Sequence, residues 1–171
     1  MADYFNQESE RLIYRAVTLE DAYPWSEFFV NNPNLPYMGV PVKGTPLELG
    51  KWWMENQLKR YEEHGIGHLA TCLKETNELI GMVGLLPKEI DDEPAIEIGY
   101  SLLPRFWRKG YGTEMAQQLK RFGKAYRKDG TYISMIHPEN IGSQKVAQAN
   151  GMVPLRDYVI RDLPVIIWGE E

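Results

Sequence analysis

The sequence predicts a mixed α+β fold, and two patterns support this prediction. Three short apolar or alternating stretches, residues 67–74, 79–86 and 95–103, follow one another with polar residues between them, as in consecutive hairpin strands. The period then changes to that of an amphipathic helix in residues 112–128. Because no repeat or interdomain linker interrupts the chain, we expect a single domain covering residues 1–171.

Helix caps and local patterns predict the remaining elements. The stretches Thr18 to Asp21 and Thr45 to Glu48 both have the spacing of a capping box, which marks a helix start. The expected order is a frayed polar start (1–9), a strand (11–17), a short helix, a proline-rich loop (31–46), a helix to about residue 64, the three hairpin strands, the helix 112–128, a strand (131–136), a short helix (140–150) and two final strands (152–160 and 165–168).

The amphipathic helix at 112–128 is the clearest single element. Its apolar residues recur at helical spacing and are expected to share one buried face: Met115, Leu119, Phe122 and Tyr126. Basic residues occupy most of the other positions, which predicts an exposed opposite face.

Composition and charge exclude several classes of function. With 24 acidic and 19 basic residues the net charge is −5, which argues against a nucleic-acid partner and is more compatible with a cationic or amine partner. Cys72 is the single cysteine, so no intrachain disulfide can form, and the three histidines lack the spacing of a metal site. No apolar stretch reaches membrane-spanning length. We therefore expect a cytoplasmic protein with no metal and no membrane association.

The stretch Arg108 to Gly112 carries the first chemical signal. It lies between a predicted strand and a predicted helix, where the first helix amides have no intrahelical acceptor and the helix dipole is positive. Two glycines would let a phosphate approach the main chain, and a basic pair adds charge. The spacing is neither that of a P-loop nor that of a dinucleotide fingerprint. An ordinary strand-to-helix turn is the alternative interpretation.

Two blocks of sequence, AIEIGYSLLPRFWRKGYGTEM (residues 95–115) and HPENIGSQKVAQANGM (residues 137–152), resemble the GNAT superfamily of acyl-CoA N-acetyltransferases. Within that superfamily they are most similar to the RimJ/RimL branch. The resemblance implies a central twisted, mostly antiparallel sheet with one splayed parallel strand pair, flanked by helices. It also implies acetyl-CoA as co-substrate, without a metal, and a primary amine as acceptor.

The resemblance assigns coenzyme-binding positions to this chain. A loop that binds the diphosphate through its main chain corresponds to Trp107, Arg108, Lys109, Gly110, Tyr111, Gly112 and Thr113. Main-chain groups of Tyr100, Ser101 and Leu102, together with the side chain of Asn140, would contact the pantetheine arm. This sequence departs from the family pattern at Arg108, where the branch usually has glycine.

Two residues are candidates for proton transfer. Glu97, between two isoleucines, is the expected base that takes the amine's proton through water, although strand alternation could instead place it on a solvent face. The stretch SQKVAQANGM lacks the tyrosine that many relatives use to protonate the leaving sulfur, and the resemblance implies Ser143 for this role, because RimL-like proteins have a serine here near the thioester sulfur. Asn140 and Ser143 could equally be a helix N-cap and a first-turn residue, and the two roles are compatible.

The sequence therefore predicts an N-acetyltransferase that transfers an acetyl group directly to a primary amine of a peptide or small molecule. The alternatives are a non-catalytic acyl-CoA binding or sensing domain and a phosphate-binding structural module. A homodimer is also possible for such a domain.

Overall fold

The computed structural model describes residues 3–41 and 43–171 and contains an eight-stranded sheet with helices on both faces. The strands are β1 (Asn6–Glu8), β2 (Leu12–Arg15), β3 (His68–Leu73), β4 (Leu79–Ile90), β5 (Glu93–Leu102), β6 (Tyr132–Ile136), β7 (Val153–Ile160) and β8 (Leu163–Gly169). The helices are α1 (Ala22–Trp25), α2 (Pro46–His64), α3 (Tyr111–Tyr126) and α4 (Ile141–Ala149).

The sheet has the order β1-β2-β3-β4-β5-β6-β8-β7, and the described strand pairs are antiparallel except for β5 and β6. The predicted hairpin run β3-β4-β5 and the splayed parallel pair are both confirmed. The long β4–β5 hairpin closes at Asp91 and Asp92, which both have positive φ. This turn is tighter than the predicted one, so β4 continues to Ile90.

Helix α2 begins and ends as the sequence predicts. The Thr45 hydroxyl accepts from the Glu48 amide at 3.2 Å, and the Glu48 carboxylate accepts from the Thr45 amide at 2.7 Å. Gly65 closes the helix in the left-handed conformation, φ +71°. The proline-rich loop before α2 contains a 3-10 turn, Leu35–Tyr37; residue 42 of that predicted loop lies outside the described residues.

The sequence predicted a frayed polar start over residues 1–9. Residues 1 and 2 lie outside the described residues, and for residues 3–9 the prediction was wrong. Residues 6–8 form β1, and the buried Tyr4 hydroxyl donates to the Gly67 carbonyl and accepts from the Leu85 amide. A three-residue strand is too short to produce a readable alternation, and the Tyr4 contacts are distant in sequence.

Helix α3 covers one face of the sheet at β4 and β5, with Met115 and Leu119 fully buried. Tyr126 was predicted on the same buried face but is 66% exposed; it is the last residue of α3. Among the described residues no helix is both long and apolar enough to span a bilayer. In the same part of the chain, no group of three or more His, Cys, Asp or Glu side chains could hold a metal ion.

Candidate active site

The loop between β5 and α3 contains two residues in the left-handed conformation. Arg108 and Gly110 both have positive φ, +61° and +82°, and α3 begins at the next residue, Tyr111. The Trp107 indole N–H donates to the Leu102 carbonyl at 2.9 Å and so ties the loop to the end of β5. Arg108 therefore adopts the left-handed conformation that glycine adopts without strain. The departure from the family pattern at this position leaves the backbone in a glycine-like conformation.

The amides of this loop are free to bind a ligand. Within the described ranges, the N–H groups of residues 108–113 donate to no protein acceptor. The first hydrogen bond of the helix runs from the Glu114 amide to the Gly110 carbonyl at 3.1 Å. Unpaired N–H groups at the positive end of a 16-residue helix provide a site for phosphate oxygens.

The turn between β1 and β2 supports this loop from behind. The Arg11 guanidinium donates to the Lys109 carbonyl at 3.0 Å and to the Glu114 carboxylate at 2.7 Å. The Ser9 hydroxyl donates to the same carboxylate at 2.6 Å. Burial opposes ionisation of Glu114, but the hydrogen bonds from Ser9 and Arg11 outweigh it and lower the pKa of this carboxyl. An ionised Glu114 thus connects the N-terminal turn to the first turn of α3.

Strands β5 and β6 separate shortly after they meet. They are paired at Ile96↔Tyr132 and Glu97↔Ile133, and beyond that point no backbone pairing between them is recorded in the described chain. Side-chain hydroxyls make two contacts near the gap: Ser134 Oγ of β6 donates to the Ile98 carbonyl of β5 at 2.9 Å, and Tyr100 Oη of β5 donates to the Ser143 carbonyl of α4 at 2.8 Å. The C-terminal part of β5 therefore has main-chain groups that face a split in the sheet.

The loop and the split open into one cavity of about 480 Å³. Eleven of the thirteen predicted site residues line it: Tyr100, Ser101, Leu102, Trp107, Arg108, Gly110, Tyr111, Gly112, Thr113, Asn140 and Ser143. Lys109 does not line the cavity; it is exposed, and its carbonyl accepts from Arg11. Glu97 also lies outside the cavity.

Sequence reasoning missed the part of the cavity wall that lies before α2 and on α4. Phe28, Asn32, Asn34 and Met38 contribute from the segment around the proline-rich loop, and Lys145 and Val146 contribute from α4. No periodic pattern marks the first group, because that segment is irregular. Lys145 lies two residues after Ser143 on α4, a spacing that does not place two side chains on one helix face, so no sequence signal identifies it.

Asn140 and Ser143 have the structural roles that the sequence left open. Asn140 is the N-cap of α4, and its side-chain oxygen accepts from the Ser143 amide at 3.2 Å. Both residues also line the cavity, so the cap role and a ligand-contact role are sterically compatible. His137 is a turn residue: its ring stacks on Tyr37, and its Nδ1 accepts from the Glu139 amide.

Glu97 lies on the opposite face of the sheet from α3. It alternates with Ile98, which is buried in the core, and its side chain is only 15% exposed. Its carboxylate is 3.1 Å from the Lys88 ammonium, on the neighbouring strand β4. As strand alternation predicts, Glu97 lies on the opposite face of β5 from its isoleucine neighbours. That face is not solvated, because the Glu97 side chain is mostly buried and forms an ion pair.

His68 shares this second face with Glu97. Its ring stacks against Trp53 of α2 and extends towards Gly99, where an added Cβ would lie 3.0 Å from His68 Nε2. Burial, together with the positive charges of Arg60 and Lys88, lowers the pKa of His68 to about 3. The imidazole is therefore neutral at physiological pH, and its Nδ1 has no hydrogen-bond partner in the described structure.

Comparison with known proteins identifies the family. Residues 11–153 match the model of the acetyltransferase (GNAT) domain. The chain is 31% identical over 157 residues to the N-acetyltransferase p20 of Bacillus licheniformis, covering 88% of this chain and 85% of that protein.

Solved structures share the fold. An acetyltransferase from Agrobacterium tumefaciens superposes with a TM-score of 0.78 at 23% identity, over 97% of this chain and 94% of that one. RimL, the ribosomal L7/L12 α-N-protein acetyltransferase, in complex with coenzyme A superposes with a TM-score of 0.74 at 16% identity, over 94% and 93% of the two chains. The two superpositions show a shared fold, and the match of residues 11–153 to the family model shows the family. The chain belongs to the acetyltransferase (GNAT) domain family.

Proposed function

We propose that this protein is an acetyl-CoA-dependent N-acetyltransferase that transfers an acetyl group to a primary amine. One observation supports the proposal most strongly: free main-chain amides at the start of α3 and the split between β5 and β6 open into the same cavity. A diphosphate on the amides would direct an attached pantetheine arm into the split, where it can pair with β5 as an added strand does.

In the proposed mechanism the amine approaches from the face of the sheet that carries Glu97. An alkyl amine is mostly protonated at neutral pH and must lose a proton before it can attack the thioester. Glu97 receives this proton through water and passes it to solvent, and a strand amide stabilises the oxyanion of the tetrahedral intermediate. The nitrogen of that intermediate loses its second proton to water as the amide forms. The electron pair of the breaking C–S bond goes to sulfur, which Ser143 or water protonates. Transfer is direct, and no acyl-enzyme forms.

The RimJ/RimL branch remains our proposal for the closer relationship. RimL shares the fold at 16% identity, and the structure of RimL named above contains coenzyme A. We extend coenzyme binding and a peptide or small-molecule amine acceptor to this chain on that basis. Arg108, whose backbone has the glycine-like conformation, is compatible with this assignment.

A non-catalytic acyl-CoA sensor is the second candidate, and a specific contact favours it. The Lys88 ammonium lies 3.1 Å from the Glu97 carboxylate and forms an ion pair with the group that the mechanism uses as its base. Residues 141–149 of α4 also contain no tyrosine. A sensor would bind the coenzyme but would not release its thiol.

Two measurements test the proposal. In a thermal-shift assay, acetyl-CoA should raise the melting temperature far more than ADP does; an equal effect would instead favour a phosphate-binding structural module. Release of free thiol from acetyl-CoA is then followed with peptides, polyamines, aminoglycosides and amino acids as acceptors. Binding without thiol release for any amine would favour the sensor.

Substitution of Glu97 separates its catalytic role from binding. Glu97→Gln should leave the acetyl-CoA dissociation constant unchanged and lower kcat about 100-fold or more, because general-base assistance is lost. Glu89→Gln is a matched control, since Glu89 is an exposed carboxylate on the same hairpin. Unchanged turnover in Glu97→Gln would remove Glu97 from the mechanism.

A further inference from the structure

The side chain of Tyr100 connects β5 to α4, the helix that follows β6. Its hydroxyl donates to the Ser143 carbonyl in the first turn of α4, at 2.8 Å, and both residues line the cavity. The contact joins positions 43 residues apart, so no local sequence pattern indicates it. The family resemblance implies coenzyme contacts for the main chain of Tyr100 only.

If the coenzyme binds as proposed, the order of residues along β5 would bring the thioester close to Tyr100. At one end of the split, Leu102 lies against Gly112: a Cβ added to Gly112 would be 3.6 Å from the Leu102 side chain. At the other end, Glu97 makes the last backbone pair with β6. An arm that runs from the amides of α3 towards an amine beside Glu97 must pass Tyr100. The sulfur of the thioester, next to the acetyl group, therefore lies in the same part of the split.

Tyr100 also has suitable chemistry for a donor. Burial raises the pKa of its phenol above the ordinary range, so the neutral hydroxyl is favoured and can donate a hydrogen bond. Ser143 is the other side-chain hydroxyl in this part of the cavity. Residues 141–149 offer no tyrosine of their own.

We propose that Tyr100 is a further catalytic residue, whose hydroxyl donates to the leaving sulfur and so replaces the tyrosine missing from α4. This role rests on the proposed acetyl transfer. As the amine nitrogen bonds to the carbonyl carbon, the C–S bond breaks and its electron pair moves to sulfur. The Tyr100 hydrogen turns from the Ser143 carbonyl to that sulfur and stabilises the thiolate. Water then supplies the proton of the thiol, and the nitrogen releases one proton to water as the amide forms, so the protons of this step balance.

Two replacements of Tyr100 test this role on the active full-length enzyme. Tyr100→Phe should lower kcat for acetyl-CoA about 10- to 100-fold while the acetyl-CoA dissociation constant changes less than 2-fold, because one donor to a developing anion is removed. Replacement of Tyr100 by 3-fluorotyrosine keeps the shape and hydrogen bond but makes the phenol more acidic. It should raise kcat when the C–S bond breaks in the slow step. Ser143→Ala is the comparison variant and should lower kcat less than Tyr100→Phe.

Each outcome decides for or against Tyr100. A Tyr100→Phe enzyme with wild-type kcat would overturn the role and leave the transferase intact. A loss of activity matched by an equal loss of acetyl-CoA affinity, with no gain from fluorotyrosine, would assign Tyr100 to structure alone. If wild-type protein bound acetyl-CoA and released no thiol with any amine, both the transferase and the role of Tyr100 would be refuted.

Discussion

Replacement of Arg108 by glycine should raise stability and lower coenzyme affinity at the same time. Arg108 has φ +61°, and an L-residue in this conformation costs about 1–2 kcal/mol. Glycine removes that cost but adds about 0.5–1 kcal/mol of conformational entropy to the unfolded chain. The free energy of unfolding should therefore increase by about 0.5–1 kcal/mol. For a domain of this size the melting temperature should rise by about 2 °C.

Coenzyme affinity should fall because the side chain lies at the phosphate end of the cavity. The Arg108 side chain is exposed and lines the cavity that the free amides share. A hydrogen bond from a charged group contributes about 1.5–3 kcal/mol, and exposure to solvent reduces this to about 1 kcal/mol. Arg108→Gly should thus bind acetyl-CoA about 5-fold more weakly.

Arg108→Ala and Lys109→Ala separate the two effects. Arg108→Ala loses the charge but keeps the strained backbone, so it should lose affinity like the glycine variant without its gain in stability. Lys109→Ala removes an exposed cation that does not line the cavity and should change affinity less. Differential scanning calorimetry and isothermal titration calorimetry measure the two quantities. A melting temperature for Arg108→Gly at or below that of Arg108→Ala would refute the backbone argument.

Two further predictions concern acid stability. Burial and the positive charges of Arg60 and Lys88 lower the pKa of His68 to about 3. Below about pH 6.5 the unfolded chain therefore binds a proton that the native state does not bind. The free energy of unfolding of wild type relative to His68→Gln, measured by urea unfolding, should fall by up to about 1.4 kcal/mol per pH unit between pH 6.5 and 3. A constant difference would refute this. The pKa of Glu114 is lowered because its hydrogen bonds to Ser9 and Arg11 outweigh the effect of burial. The stability advantage of wild type over Glu114→Gln should therefore be fully present above about pH 4.3 and should be lost as the pH falls below that value. A stability advantage that grows in acid would contradict the lowered pKa of Glu114.

Local patterns predicted the elements whose stabilising contacts are visible in the sequence. The helix at 112–128 was recognised because Met115 and Leu119 repeat at helical spacing, and both are buried. Helix α2 was recognised from its capping box at Thr45. β1 was missed because a three-residue strand has no pattern of its own and is positioned by pairing with β2. Tyr126 was wrongly predicted to be buried because helical periodicity shows which face is apolar but not how far along the helix that face stays covered.

The candidate site could be predicted where one continuous segment builds it. The loop at 107–113 and the N-cap Asn140 each depend on neighbouring residues, so their sequence signals are local. The Lys88–Glu97 ion pair depends on the register of β4 and β5, and the Tyr100–Ser143 contact depends on how α4 packs. Such contacts follow from tertiary structure, which no short stretch of sequence encodes.

The central claim is that the unpaired amides at the start of α3 bind the coenzyme diphosphate. An NMR titration of ¹⁵N-labelled protein with acetyl-CoA tests it most directly. The amide protons of Gly110, Tyr111, Gly112 and Thr113 should move downfield together on saturation, as protons do when they bind phosphate oxygens, and 3′,5′-ADP, which lacks the diphosphate, should not produce the same shifts. Saturable binding of acetyl-CoA that leaves these four resonances unchanged would contradict the claim.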